Sequence, residues 1–211
     1  MESLYFIGYF SAFVFSFRFL IQWIISERAH KSVVPVSFWW LSLLGNISLM
    51  LHSLIQWQYP VALIQSINGV ISARNINLNS SMPLNIRWVY LSLMFAASAI
   101  TLYFSFFASE WSRIPTHAFQ TDLNKSVPLT FHIIGAVGVF LFNIRFIVQW
   151  WQSEKLKRST LSPTFWYLSI FGGILSLIYF ILIADMVNLI GPLFGLIPYV
   201  RNLVLLKRTT A

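Results

Sequence analysis

Residues 18–32 read RFLIQWIISERAHKS, and residues 145–159 read RFIVQWWQSEKLKRS. A shift of 127 positions lays one on the other and keeps the chain in register, without a gap, from residue 18 to residue 78. Sixteen of those 61 positions are identical, thirteen of them between residues 18 and 47. They include Arg18/Arg145, Gln22/Gln149, Trp23/Trp150, Ser26/Ser153, Glu27/Glu154, Ser32/Ser159, Phe38/Phe165, Trp39/Trp166, Ser42/Ser169 and Gly45/Gly172. An Arg-Asn pair recurs near the end of each copy, as Arg74-Asn75 and Arg201-Asn202. Shared Leu and Ile arise from composition alone, but shared Arg, Gln, Trp and Glu in so apolar a chain do not. The sequence is an internal duplication, and the repeat decides how everything else is read.

Of 211 residues, 57% are hydrophobic and 9% charged, against about 25% charged in soluble domains. This composition predicts a polytopic membrane protein. Cysteine is absent, which excludes disulfides and thiol chemistry. The net charge of +8 sits in short gaps between apolar runs, a membrane orientation signal and not a nucleic-acid footprint. The first twenty residues carry Glu2 and no basic stretch, so the first span is predicted to be retained and not cleaved.

Seven apolar windows of about 20 residues each are predicted to span: Leu4–Ile25, Val36–Ile55, Val61–Asn77, Trp88–Phe107, Pro128–Trp151, Thr164–Ala184 and Val187–Leu206. The third is the least hydrophobic of the first three. The expected fold is all-α and integral to the membrane, with two parallel three-helix bundles joined by one inversion helix. Residues 1–78 form the first repeat, 79–127 a linker with the central helix 88–107 and an outer loop, and 128–211 the second repeat with a tail. The odd central crossing makes the two repeats parallel, and the basic residues agree. Ten lie on the side of the hinge loops and two, Arg113 and Lys125, on the other. The hinges are therefore predicted to be cytoplasmic, the N-terminus outside and the C-terminus inside.

Arg18 and Arg145 lie well inside predicted spans, where an arginine costs at least about 2.5 kcal/mol and usually faces a bundle interior or cavity. Gln22 and Gln149 follow one turn later on the same face, and Ser26 and Ser153 one turn beyond. Trp23–Glu27 and Trp150–Glu154 make a second stripe. Two readings stand: the arginines hold an anion such as phosphate by forked hydrogen bonds, or they snorkel or pair with a carboxylate inside the bundle. On the first reading Arg18, Arg145, Arg74 and Arg201 bind phosphate. Gln22, Gln149, Asn75 and Asn202 supply polar contacts, and Glu27 and Glu154 are counter-charges in the empty state. Trp23, Trp150, Trp39 and Trp166 are candidate sugar-stacking surfaces, although Phe38-Trp39-Trp40 and Phe165-Trp166-Tyr167 read more simply as an interfacial aromatic belt. Gly191-Pro192, Gly195 and Pro198 are expected to break the seventh span, as helices lining a transport cavity often are. Six carboxylates, four scattered histidines and no phosphate-cradling glycine loop give no catalytic residues, no metal site and no cofactor.

The repeated R-F-x-x-Q-W-x-x-S-E-x(4)-S, followed by F-W-x-L-S-x-x-G and the terminal R-N, resembles the lipid A biosynthesis N-terminal domain family, a membrane module related to the PQ-loop and SWEET transporters. The resemblance covers residues 1–78 and 128–206. It implies work on envelope glycolipids in the bacterial inner membrane. The synthase activity in the family's name belongs to a fusion partner, and its glycosyltransferase domain is absent from this chain. The expected role is a non-enzymatic carrier or flippase for a polyprenyl-phosphate sugar or lipid A precursor. The partners it implies are membrane lipids and a glycosyltransferase, with no nucleic acid. Two rivals stand beside it: a SWEET-like transporter of a free small sugar, and a scaffold that docks a lipid A glycosyltransferase.

Overall fold

A computed structural model describes residues 5–109, 111, 128–183 and 186–210. Glu2, Asp185 and most of the predicted outer loop lie outside the described residues. Seven helices follow in order: α1 Tyr5–Ala29, α2 Val36–Ile55, α3 Tyr59–Leu78, α4 Ile86–Phe107, α5 Leu129–Leu156, α6 Pro163–Leu182 and α7 Met186–Thr210. Six are long and apolar enough to cross a membrane, and the protein is an all-helical membrane protein. The exception is α3, whose apolar frame is interrupted by Gln65, Ser66, Asn68, Ser72, Arg74 and Asn75. Five of these six side chains are buried, so α3 faces neighbouring helices with groups that lipid would not accept.

The helix ends explain the repeat's tightest segment. α1 stops at His30 and α5 at its counterpart Lys157, both left-handed with φ 52°. Neither residue is glycine, the usual choice there. The backbone N–H of Lys31 then donates to Ser26 O, and that of Arg158 to Ser153 O, closing each helix and turning the chain back along it. The offset prolines fit this geometry. Pro35 stands at the N-cap of α2, and Pro163 in the first turn of α6, where a missing N–H costs nothing.

In the first repeat α2 packs between α1 and α3, and in the second α6 packs between α5 and α7. The repeats meet along two seams, α1 with α7 and α3 with α5, which closes the six helices into a ring. α4 packs on the outside of α3. Close approach within the second repeat needs glycine. A Cβ on Gly138 would lie 2.7 Å from Ser176 N, and one on Gly172 2.6 Å from Phe142 N.

Two expectations are corrected. α7 is not broken at its glycines and prolines but runs as one helix, with Pro192 and Pro198 inside it. Proline's fixed φ is itself helical, each proline removes a single N–H, and packed membrane helices tolerate that loss. Phe38, Trp39, Phe165 and Trp166 are not interfacial. They are fully buried in a core with Phe19, Phe146 and Tyr199, because the faces that carry them are where the repeats meet. Trp40 and Tyr167, one residue on, are the exposed ones.

Candidate anion site between the repeats

One end of the ring carries the hinges (residues 30–35 and 157–162); the other carries the α2–α3 turn. At the hinge end the side chains of each repeat are tied to the other repeat, and the ties come in matched pairs. Gln22 Nε2 donates to Asn202 Oδ1 at 2.7 Å, and Asn202 Nδ2 returns to Gln22 Oε1 at 2.9 Å. Gln149 Nε2 donates to Asn75 Oδ1 at 2.8 Å, and Asn75 Nδ2 returns to Gln149 Oε1 at 3.1 Å. Ser32 Oγ donates to Asn202 Oδ1 and Ser159 Oγ to Asn75 Oδ1. Ser26 and Ser153 accept from the same glutamines. All four carboxamides are fully buried, and each also donates to a backbone carbonyl: Gln22 to Val33 O, Gln149 to Thr160 O, Asn75 to Ile71 O and Asn202 to Pro198 O.

Flanking the lattice are two forked ion pairs, again across the repeats. Arg74 donates from Nε to Glu154 Oε1 at 2.5 Å and from Nη2 to Oε2 at 2.9 Å. Arg201 Nε and Nη2 grip Glu27 in the same way. The indoles of Trp23 and Trp150 donate to Glu27 and Glu154, each at 3.0 Å. Arg74 has two further acceptors, Asn77 Oδ1 and Leu84 O.

The two remaining arginines are handled differently. Arg18 and Arg145 are 4% and 1% exposed and stand against the same two rings. Their Cζ atoms lie 4.8 and 5.7 Å from the centre of Phe19, and 5.2 and 4.9 Å from that of Phe146. Phe142 lies over Arg145 at 3.5 Å, and Tyr199 at 5.3 Å. Arg18 Nη1 donates to Ser42 Oγ at 2.8 Å, but Arg18 Nε, Arg145 Nε and Arg145 Nη1 have no acceptor. The carboxylates of the described residues are Glu27 and Glu154, both already engaged. Aromatic faces offset part of the burial cost, about 2 kcal/mol for a desolvated contact. They accept nothing in the plane of the guanidinium, so Arg18 Nε, Arg145 Nε and Arg145 Nη1 stay unmet among the described residues.

Both arginines line a cavity of about 290 Å³ between the repeats. It extends from them toward the turn end, past Phe15, Asn46, Gln65, Asn68, Asn143 and Ser176. Of the residues expected from sequence to form one site, Arg18 and Arg145 reach this cavity. Arg74, Arg201, Gln22, Gln149, Asn75, Asn202 and the four tryptophans do not line it. Sequence reading missed Tyr199, Asn46, Gln65, Asn68 and Asn143. The signal for two of them was in α3, where Gln65, Asn68 and Ser72 recur at helical spacing within an apolar frame.

The class of molecule is thus a polytopic membrane protein with a cationic cavity between two repeats. The model of the Lipid A Biosynthesis N-terminal domain matches residues 7–77 and again residues 134–204, two segments offset by the same 127 positions as the repeat. The chain belongs to that family. It is 37% identical over 211 residues to a lipid-A-disaccharide synthase of Chlamydia felis, covering 99% of this chain and 34% of that protein. It is 36% identical over 208 residues to the synthase of Chlamydia muridarum and 35% over 208 residues to that of Chlamydia trachomatis, each covering 97% of this chain and 34% of the relative. The chain therefore spans about a third of the length of the curated relatives it matches. No solved structure matches it.

Proposed function

We propose that the protein is a membrane carrier that binds the phosphate of a lipid-linked sugar between its repeats and works, without catalysing a reaction, in the assembly of lipid A or another envelope glycolipid. The observation that carries this reading is the pair of buried guanidiniums, Arg18 and Arg145, open to one cavity and without a carboxylate partner among the described residues. A phosphate would accept the in-plane donors that now have no partner and neutralise two like charges at once. Arg74 and Arg201 take the second role. In the closed arrangement Glu27 and Glu154 occupy them, and they would meet the phosphate only when the hinge end parts. Gln22, Gln149, Asn75 and Asn202 hold that end shut between substrates and would contact the head group as it passes. Trp23 and Trp150 would then be released from their glutamates.

The same reading makes the repeats two parallel three-helix units, with α4 as the inversion helix, in the manner of PQ-loop and SWEET transporters. The hinge end faces the cytoplasm of a bacterial inner membrane. One repeat rocks against the other while the lipid tail stays in the bilayer. With no cysteine in the chain, sidedness is directly testable: Ser80→Cys should react with an impermeant maleimide from the cytoplasm and Ser109→Cys from outside. Ligand identity is tested by native mass spectrometry of the gently purified protein. A retained phospholipid-linked sugar is expected in the native protein and not in Arg145→Gln. Full retention by a folded Arg145→Gln protein would overturn the site.

A second reading, a scaffold that anchors a glycosyltransferase, is favoured by one observation. The matched region is only a third of proteins named as synthases. Co-purification with a transferase, and no anion bound at Arg18 and Arg145, would select it.

A further inference from the structure

The polar groups around the arginines are of the wrong kind for phosphate alone. Asn143 spends its Nδ2 on Val139 O at 2.7 Å, which fixes the amide and leaves Oδ1 as an acceptor. Ser72 gives its hydroxyl proton to Asn68 O, so its oxygen must accept from Asn46 Nδ2, at 3.1 Å. That fixes Asn46 as well, again with Oδ1 left to accept and, on each amide, one N–H left to donate. Two carbonyl oxygens therefore stand beside a cationic site, where a bare anion would repel them. Next to them the carboxamides of Asn68, which is 6% exposed, and Gln65 line the cavity with no side-chain hydrogen bond among the described residues. Ser176 Oγ is buried there without a partner among the described residues.

These amides belong mostly to one repeat. At the positions equivalent to Asn46, Gln65 and Asn68 the second repeat has Gly173, Pro192 and Gly195. A site for a symmetric ion has no use for such a difference. An asymmetric ligand does, with its anion on the shared arginines and hydrogen-bond donors on one side only.

Resting on the anion reading above, we propose that Asn46, Gln65, Asn68 and Asn143 are specificity residues for hydroxyl groups, so that the cavity takes the phosphate together with a single neutral sugar. A hydroxyl donates and accepts at once, which matches fixed carbonyl oxygens beside free carboxamides. A cationic amino group would satisfy the carbonyls but would face two guanidiniums with no carboxylate of the described residues to offset them. At about 290 Å³ the cavity is at the small end of the range for ligand sites, roughly 300–1,000 Å³. It holds one hexose-sized unit and excludes an acylated disaccharide.

The test is calorimetric binding to the purified full chain in detergent, with methyl phosphate, glucose 1-phosphate and free glucose as probes. Glucose 1-phosphate should bind at least about tenfold more tightly than methyl phosphate, roughly the effect of one well-made hydrogen bond in a buried site. Free glucose should bind far more weakly than either. Asn68→Ala and Gln65→Ala remove side chains that hold nothing else together, so both should fold. Each should erase most of the glucose 1-phosphate advantage while leaving methyl phosphate unchanged. Equal binding of the two phosphates, or an advantage that survives both substitutions, overturns the specificity assignment and leaves the anion site standing. Binding of neither phosphate overturns both.

Discussion

The two repeats are copies where they tie to each other at the hinge end and, beyond Arg18/Arg145 and the rings of Phe15/Phe142 and Phe19/Phe146, unlike where they line the cavity. At the hinge end every tie has a twin 127 residues away: amide lattice, forked ion pair, indole, left-handed helix cap. Between residues 48 and 73 no position matches its counterpart, and that stretch supplies Asn68, Gln65, Leu49, Val61 and Ile64 to the cavity wall, with Asn46, also unmatched, just before it. After duplication, a joint between equal halves constrains both copies alike, because each donor needs its partner in the other repeat. A cavity wall has no such reciprocity and is free to specialise. On the proposed function, the shared hinge end closes the molecule and the shared arginines take the anion, while the unmatched wall would distinguish what that anion is attached to.

Even the shared end is uneven, and this gives the largest predicted effect. Arg74 and Glu154 have side chains 4% and 8% exposed, whereas Arg201 and Glu27 are 37% and 33% exposed. Glu154→Gln strands a buried guanidinium and should cost about 3–5 kcal/mol of stability. Glu27→Gln leaves a solvated one and should cost much less. Unfolding in mixed detergent and SDS compares them directly. Equal losses would show that the two clamps are energetically equivalent despite their burial.

The amide lattices should behave oppositely, as true twins. Double-mutant cycles on Gln22 with Asn202 and on Gln149 with Asn75, using alanine, should each return a coupling of about 0.6–1.7 kcal/mol, the range for hydrogen bonds between membrane helices. The two values should agree to about 0.5 kcal/mol. A coupling confined to one lattice would mean that the hinge end is held from one side.

The fold was legible because membrane helices and duplication leave strong marks: long apolar windows, and Arg, Gln, Trp and Glu repeated where chance would not put them. The site was only half legible. Arg18 and Arg145 announce themselves as charges inside spans, but the same logic cannot separate them from Arg74 and Arg201. What distinguishes the pairs is the distant carboxylate each one meets, Glu154 and Glu27 across the repeat boundary, and no local pattern encodes a contact 80 or 174 residues away. Tyr199 was missed for a related reason. Its counterpart is Ser72, so the repeat gave no hint, and its ring reaches Arg145 only because α7 stays helical through Pro192 and Pro198. Local chemistry makes the prolines breakers, and the packing of α7 outweighs it.

The smallest effect tests whether the unmatched wall of α7 is shaped for the arginines or merely bare. A Cβ on Gly195 would collide with the ring and hydroxyl of Tyr199, one turn on, whereas a Cβ on Gly191 meets nothing within 4 Å. Gly195→Ala must therefore swing Tyr199 away from Arg145, removing an aromatic contact worth about 0.5–1 kcal/mol. Phosphate affinity should change by roughly two- to fivefold, by the same arithmetic. Gly191→Ala should leave affinity unchanged and raise helix stability by at most about 1 kcal/mol. If both glycines tolerate alanine with no change in binding, Tyr199 does not position Arg145. The second repeat's side of the cavity is then only the space left when the amides of the first have no counterpart.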